Sequence, residues 1–284
     1  MYQDRCTPAS KETLRIVHWF FIPIRYNESI ERKDAMKQLE LKNEWYRAVK
    51  TRVSTRLYMQ PPDDERLQAL VKLAAEVSGD GVCIKVLRGP VFHGLLNGGN
   101  IRGTDCFAAL VSDANVPAEV VGYRGEAFVL GATAMNVGTC WLGASMDRAL
   151  CTELAEVKNG AKMRCIVSLG LTDAPLDDEQ SIIRKRKPLT ELTGKAEQSL
   201  SVIPIWQQRA LECAQAAPSA VNGQPWRFEL SDTGIAIVCK SHNFGYGWVD
   251  TGIAMLHLEL GAAHGGTICS FSKSKKRYLL SPNS

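Results

Sequence analysis

Apolar positions recur along the chain with two different spacings, in an order that is used twice. Between residues 36 and 59, Met36, Leu39, Leu41, Trp45, Tyr46 and Val49 follow helical spacing. After Pro61-Pro62, Leu67, Leu70, Val71, Leu73, Ala74 and Val77 line one face of a second predicted helix, with Asp63 or Asp64 as its cap. Ser78-Gly79-Asp80-Gly81 breaks that helix, and the apolar runs 82–87 and 107–111 predict strands. A long helix is predicted from Tyr123 to Val137. Its small residues, Gly125, Ala127, Gly131, Ala132 and Ala134, would let a second helix approach closely, and Gly138 would end it. Residues 139–143 read as a short extended segment and 164–170 as an apolar strand.

The second half runs through the same series. A helix is predicted over Gln208–Val221, strands over 226–230 and 235–238, and a helix over Asp250–Leu260 with Gly261-Ala262-Ala263 at its end. Set without gaps, Ala74-Ala75 falls on Ala216-Ala217, Glu76 on Pro218, Asp80 on Asn222 and Ile84 on Trp226. This points to an α+β fold of two related helix/sheet lobes, packed as an internal pseudo-dimer. Residues 1–35 are expected to form an N-terminal extension outside the fold, 36–195 a first lobe and 196–284 a second, shortened lobe. The polar, Lys-rich stretch 270–284 does not read as a closing strand.

Composition narrows the function classes. The 284 residues are 45% hydrophobic and 23% charged, enough to build a sizeable core. The net charge of +4 is too small and too evenly spread for a nucleic-acid surface, and suits a small anionic ligand better. Nine scattered cysteines without Cys-x-x-Cys spacing read as reduced thiols of a cytoplasmic protein. His257 and His264 lie two helical turns apart and form no ligand-spaced set with a carboxylate or thiol, so a metal site is not expected. The apolar run 16–24 is too short to span a bilayer, so no membrane role is expected.

Four segments carry candidate chemistry. Arg52-Val53-Ser54-Thr55-Arg56 places a hydroxyl between two guanidinium forks, a pattern suited to phosphate. Arg184-Lys185-Arg186-Lys187-Pro188 is a second basic stretch, although such a run is more often a solvated face. Gly138-Thr139-Cys140-Trp141-Leu142-Gly143 has glycines that would let backbone lie against a flat ring, or simply make a turn. Ala217-Pro218-Ser219-Ala220-Val221-Asn222-Gly223-Gln224-Pro225-Trp226 is richer in polar groups than a turn requires, and its bland alternative is an Asx-type turn over a buried Trp.

Together these segments resemble the nitroreductase family of FMN-dependent enzymes, over roughly residues 45–265, and in particular its fused, two-lobed subgroup. The resemblance implies that Arg52, Ser54 and Arg56 hold the phosphate and ribityl groups, with Arg184 and Arg186 returning to the phosphate. Trp141, Leu142 and Gly143 would lie beside the isoalloxazine. Pro218, Ser219 and Asn222 would reach the flavin from the other lobe, while Trp226 packs beneath. Arg56, or a main-chain N–H near Trp141–Gly143, would stabilise charge on the reduced ring. The first lobe has Glu76-Val77-Ser78-Gly79-Asp80 in place of the Ser/Asn segment, and the second lacks the paired arginines. The resemblance therefore implies one complete FMN site per monomeric chain and one lost site. It further implies an NADH- or NADPH-dependent oxidoreductase that needs no acid–base side chain and reduces nitroaromatics, quinones or similar small acceptors. The alternatives are a non-catalytic flavin-binding or flavin-sequestering protein, and a scaffold with no flavin.

Overall fold

The computed structural model describes residues 37–92, 101–173, 185–275 and 277–283. The expected extension over 1–35 and the candidate Arg184 lie outside the described residues.

Helix α1, Asn43–Thr51, is shorter than the periodicity over 36–59 predicts, and buries Trp45, Ala48 and Val49. Tertiary pairing competes with helix at both of its ends. Lys37 N–H donates to Asp80 Oδ2 (3.0 Å) and Gln38 Nε2 to the Cys269 carbonyl (2.7 Å). Beyond the C-terminus, Thr55 N–H bonds the Thr139 carbonyl at 2.9 Å. Helix α2, Asp64–Val77, begins as predicted, with the Asp63 carboxylate accepting from Arg66 N–H.

Strands β1 (Val82–Arg88), β2 (Cys106–Asp113), β3 (Gly138–Leu142) and β4 (Ala161–Gly170) form an antiparallel sheet in the order β1-β2-β4-β3. Between β2 and β3 runs α3, Ala118–Ala134, which starts five residues before the predicted Tyr123. Pro117, whose fixed φ suits a helix start, marks its true beginning. The helix ends at Ala134 and Asn136 takes the left-handed turn (φ 57°), so Gly138 opens β3 instead of stopping the helix. A short α4, Arg148–Leu154, precedes β4.

Two short helices, α5 (Leu189–Thr193) and α6 (Glu197–Leu200), lead to α7, Ile205–Gln215. This helix stops well before the predicted Val221, because residues 217–225 are folded into turns. Strands β5 (Trp226–Ser231), β6 (Gly234–Cys239), β7 (Cys269–Ser274) and β8 (Arg277–Pro282) form a second antiparallel sheet in the order β5-β6-β8-β7. Helix α8, Gly247–His264, separates β6 from β7 and continues through Gly261-Ala262-Ala263. The chain's end therefore does supply closing strands, contrary to the reading of 270–284. Only Tyr278 and Leu280 of β8 turn into the core, and the solvent-facing positions of β7 and β8 gave that stretch its polar look.

The two sheets thus have the same strand order, and each is followed through by one long buried helix. Helices α3 and α8 cross at two reciprocal contacts. A Cβ on Gly122 would lie 1.9 Å from the Val249 carbonyl oxygen, and one on Gly252 would lie 1.8 Å from that of Glu119. Neither position tolerates a side chain. A single apolar cluster runs from Leu70, Leu73 and Phe128 on one side of this crossing to Leu211, Trp226 and Phe228 on the other. A second cluster, including Phe107, Cys140, Met146 and Ile166, covers the far face of the first sheet. Among the described residues, no helix is long and apolar enough to cross a membrane. The eight described cysteines are free thiols.

Candidate functional site

The segment that follows α1 is extended and pairs in parallel with β3 through Ser54 and Thr139. This edge sets the directions of Arg52, Ser54 and Arg56. Arg52 is only 4% exposed. Burial lowers the pKa of its guanidinium, against the opposing charges of Glu126 and Cys140. Burial likewise raises the pKa of the Cys140 thiol, opposed by Arg56, Arg52 and the Ser54 hydroxyl. All three candidates therefore act electrostatically on one buried thiol, and Ser54 and Arg56 are exposed. Beneath them, the hydroxyl of Thr139 is buried without a hydrogen-bond partner.

The β3 candidates come next. Trp141 is partly exposed and its indole N–H donates to Glu126 Oε2 at 2.9 Å. Leu142 is buried. The Gly143 carbonyl accepts from Arg148 Nη2 (2.9 Å) and from the Tyr246 hydroxyl (2.7 Å). The Tyr246 ring lies so close that a Cβ on Gly143 would come within 2.3 Å of its Cζ.

The corner between α7 and β5 is tightly bound to its surroundings. Arg186 Nη1 donates to Asn222 Oδ1 (2.8 Å) and Nη2 to the Ala216 carbonyl (3.1 Å). Asn222 Nδ2 donates to the Lys185 carbonyl, and Lys187 N–H to Gln224 Oε1, both at 2.8 Å. Pro218 is buried, and the Ser219 hydroxyl accepts from Gln224 N–H at 2.9 Å. Val221, Asn222 and Gln224 all have positive φ (47°, 56° and 46°). For a β-branched residue such as Val221 that conformation is strained. Asp250, at the start of α8, holds the corner: its Oδ1 accepts from Ala220 N–H at 3.0 Å and its Oδ2 from Asn243 Nδ2 at 2.5 Å. Desolvation raises the Asp250 carboxyl to about 6. Asn243 Nδ2 also reaches the Ala220 carbonyl, so the 243–245 turn and the corner form one unit.

The candidates therefore fall into groups that the fold brings together. Arg52, Ser54 and Arg56 gather at Cys140, and Arg186 bonds Asn222 directly. Gly143 joins the corner through Tyr246 and the neighbouring turn. A buried route also joins the arginine cluster to the corner: Glu126 Oε1 lies 2.9 Å from His257 Nε2, and His257 Nδ1 lies 3.0 Å from the Cys213 carbonyl on α7. Glu126, His257, Asn243, Tyr246 and Asp250 are all absent from the sequence-based site. Only the first two carry a signal of their own, as polar residues inside Ala/Gly-rich apolar helices. His257, weighed above as a metal ligand, has both nitrogens engaged here, while His264 stacks on Tyr46 with centroids 3.8 Å apart. Among the described residues, no cluster of three His, Cys, Asp or Glu is arranged to hold a metal ion.

The equivalent corner in the first half, between α2 and β1, is occupied by the protein itself. Arg124 from α3 donates to Asp80 Oδ2 (2.7 Å), the Val77 carbonyl (3.2 Å) and the Lys37 carbonyl (3.0 Å). Arg124 is 3% exposed. At the other corner Arg186 is partly exposed, while Arg56, Ser54 and the orphaned Thr139 hydroxyl are donors at the β3 edge; groups of this kind suit a phosphate-bearing ligand.

The comparisons with known proteins agree with this architecture. A family model described as "Putative TM nitroreductase" matches residues 44–262. The solved structure described as a putative nitroreductase from Thermotoga maritima superposes with a TM-score of 0.62 at 21% identity, covering 89% of this chain and 100% of its own. A putative nitroreductase from Desulfovibrio desulfuricans, solved in complex with FMN, gives 0.42 at 18% identity over 55% of this chain and 98% of its own. Nitroreductase A from Vibrio parahaemolyticus gives 0.42 at 17% identity over 56% and 78%. No curated protein matches the chain. With some three quarters of its length inside the family model, and with the same fold as the Thermotoga protein, the chain belongs to this nitroreductase family.

Proposed function

We propose that the protein is an FMN-dependent NAD(P)H oxidoreductase with one flavin site per chain, at the junction of two lobes that act as an internal pseudo-dimer. The reading rests above all on the 2.8 Å bond from Arg186 to Asn222, which joins a basic segment to the Ser/Asn corner. Arg56, Ser54 and Arg186 would hold the phosphate and ribityl chain, with Arg52 as the buried floor of that cluster. Arg184 would act beside Arg186. Trp141, Leu142 and Gly143 would line the ring, and Pro218, Ser219 and Asn222 would close the site from the other lobe. When bound, FMN would supply the hydride-accepting and hydride-donating ring that links NADH or NADPH to a nitroaromatic, quinone or similar acceptor. The chain's own contribution is to position that ring, to place positive charge beside it through Arg56, and to keep water from one face of it.

One observation favours a second reading, a flavin-binding protein without turnover. The Tyr246 ring lies against Gly143, a residue that would line the flavin ring. The absorbance spectrum of purified protein separates the two. An FMN spectrum bleached by NAD(P)H and restored by a nitroaromatic supports the enzyme. A flavin spectrum that NADH and NADPH leave unchanged supports the binder, and a colourless protein unable to take up FMN removes both.

A further inference from the structure

Glu126 and His257 are fully buried, come from the two central helices α3 and α8, and meet at the centre of the molecule. Every hydrogen-bonding atom of the pair has a partner. Glu126 Oε2 accepts from the Trp141 indole, and Oε1 faces His257 Nε2. His257 Nδ1 faces a carbonyl, which accepts only, so that nitrogen carries a hydrogen. Nε2 faces a carboxyl oxygen at 2.9 Å, so a further proton lies between the two groups. The buried charge of Arg52 lies beside the same carboxyl. Buried polar groups that are this completely satisfied have a single arrangement, because any displacement leaves one of them unpartnered.

We infer that Glu126 and His257 are positioning residues, which fix the Trp141 ring at the floor of the site and key that floor to the α7 backbone of the other half. Trp141 is partly exposed and has one anchored edge, and the anchor is Glu126. The Cys213 carbonyl lies one helical turn before Ala216, whose own carbonyl accepts from Arg186. The pair therefore links Trp141 to the end of α7 that carries the Arg186 contact. This role rests on the flavin reading for its functional consequence, though not for its geometry.

The test compares parent protein with Glu126→Gln, Glu126→Ala and His257→Gln, by the Trp141 indole ¹H–¹⁵N resonance and by fluorescence titration with FMN. The resonance is assigned with Trp141→Phe. In the parent, the indole proton should resonate downfield, as expected for a bond to a carboxylate. Glu126→Ala should move it upfield and weaken FMN binding about tenfold, the equivalent of one well-made contact. Glu126→Gln, which keeps an acceptor for the indole, should retain most of the affinity. His257→Gln should leave the indole bond in place but weaken FMN binding. An unmoved Trp141 resonance in folded Glu126→Ala overturns the inference. So does unchanged FMN affinity in all three variants. If Glu126→Ala does not fold, equal affinity in parent, Glu126→Gln and His257→Gln overturns it. If the parent binds no FMN, the flavin reading fails, and the Trp141 resonance still decides the positioning role.

Discussion

Two corners occupy the same place in the repeated fold and are finished differently. At the front corner, residues 77–81, an arginine from the central helix α3 is buried and bound to Asp80, Val77 and Lys37. At the rear corner, residues 217–224, the arginine comes from the connecting segment, is partly exposed and bonds Asn222. At the front corner Lys37 and the buried Arg124 bond Asp80 directly, whereas the rear one presents Val221 (76% exposed) and Phe244 (80% exposed) to solvent. A repeated framework thus ties one corner to its central helix and leaves the other as the corner of the proposed flavin site. The strain follows the same division: the front corner places glycines at two of its three positive-φ positions, while the rear corner puts Val221, Asn222 and Gln224 there.

The contrast is sharpened first by pH, the largest expected effect. Burial raises Glu259, which accepts from the Tyr123 hydroxyl, to about 8, and raises Asp250 to about 6. Both carboxyls hold their protons more tightly in the fold than in the unfolded chain. Their contribution is therefore full below pH 4 and is lost as pH rises, by pH 6 for Asp250 and by pH 8 for Glu259. At about 1.4 kcal/mol per unit, Glu259 alone would change stability by up to about 5 kcal/mol. Urea unfolding at pH 5 and pH 8 should show this slope, and Glu259→Gln should flatten it. A parent curve indifferent to pH, or a variant with the same slope, would contradict the assignment.

Next in size, Arg124→Ala should destabilise the protein by about 3 kcal/mol, because it strips a buried carbonyl and Asp80 of their donor. Arg186→Ala should cost only about 1 kcal/mol, since its partners can turn to water. The two variants should trade places for ligand binding: Arg186→Ala loses FMN affinity, whereas folded Arg124→Ala keeps it. The smallest effect is expected from Val221→Gly, which relieves a β-branched residue at positive φ and should leave stability equal or up to about 1 kcal/mol higher. A clear loss of stability there would mean that Val221 earns its place by packing.

Much of this was legible in the residues. The order helix, strand, strand, helix was readable twice, because core strands such as β2 and β4 are apolar runs and α2 has both a cap and a stripe. The rear corner stood out because its polar residues exceed what a turn needs. Other features were hidden for physical reasons. Strand β7 sits at a sheet edge with one face in solvent, so its serines and lysines mask a strand. Helix α1 was overestimated because Leu39 and Leu41 extend its apolar spacing, whereas Lys37 and Gln38 bond Asp80 and the Cys269 carbonyl instead. Glu126 and His257 lie 131 residues apart, and nothing local in the sequence shows that they pair.

The central claim is that a single flavin site exists, at the rear corner. Its most direct measurement is a fluorescence titration of FMN into the protein, with stoichiometry determined for the parent, Arg186→Ala and Asn222→Ala. The account predicts one FMN per chain in the parent and an affinity reduced by about tenfold in each variant. Two flavins per chain, or variants that bind as tightly as the parent, would contradict it.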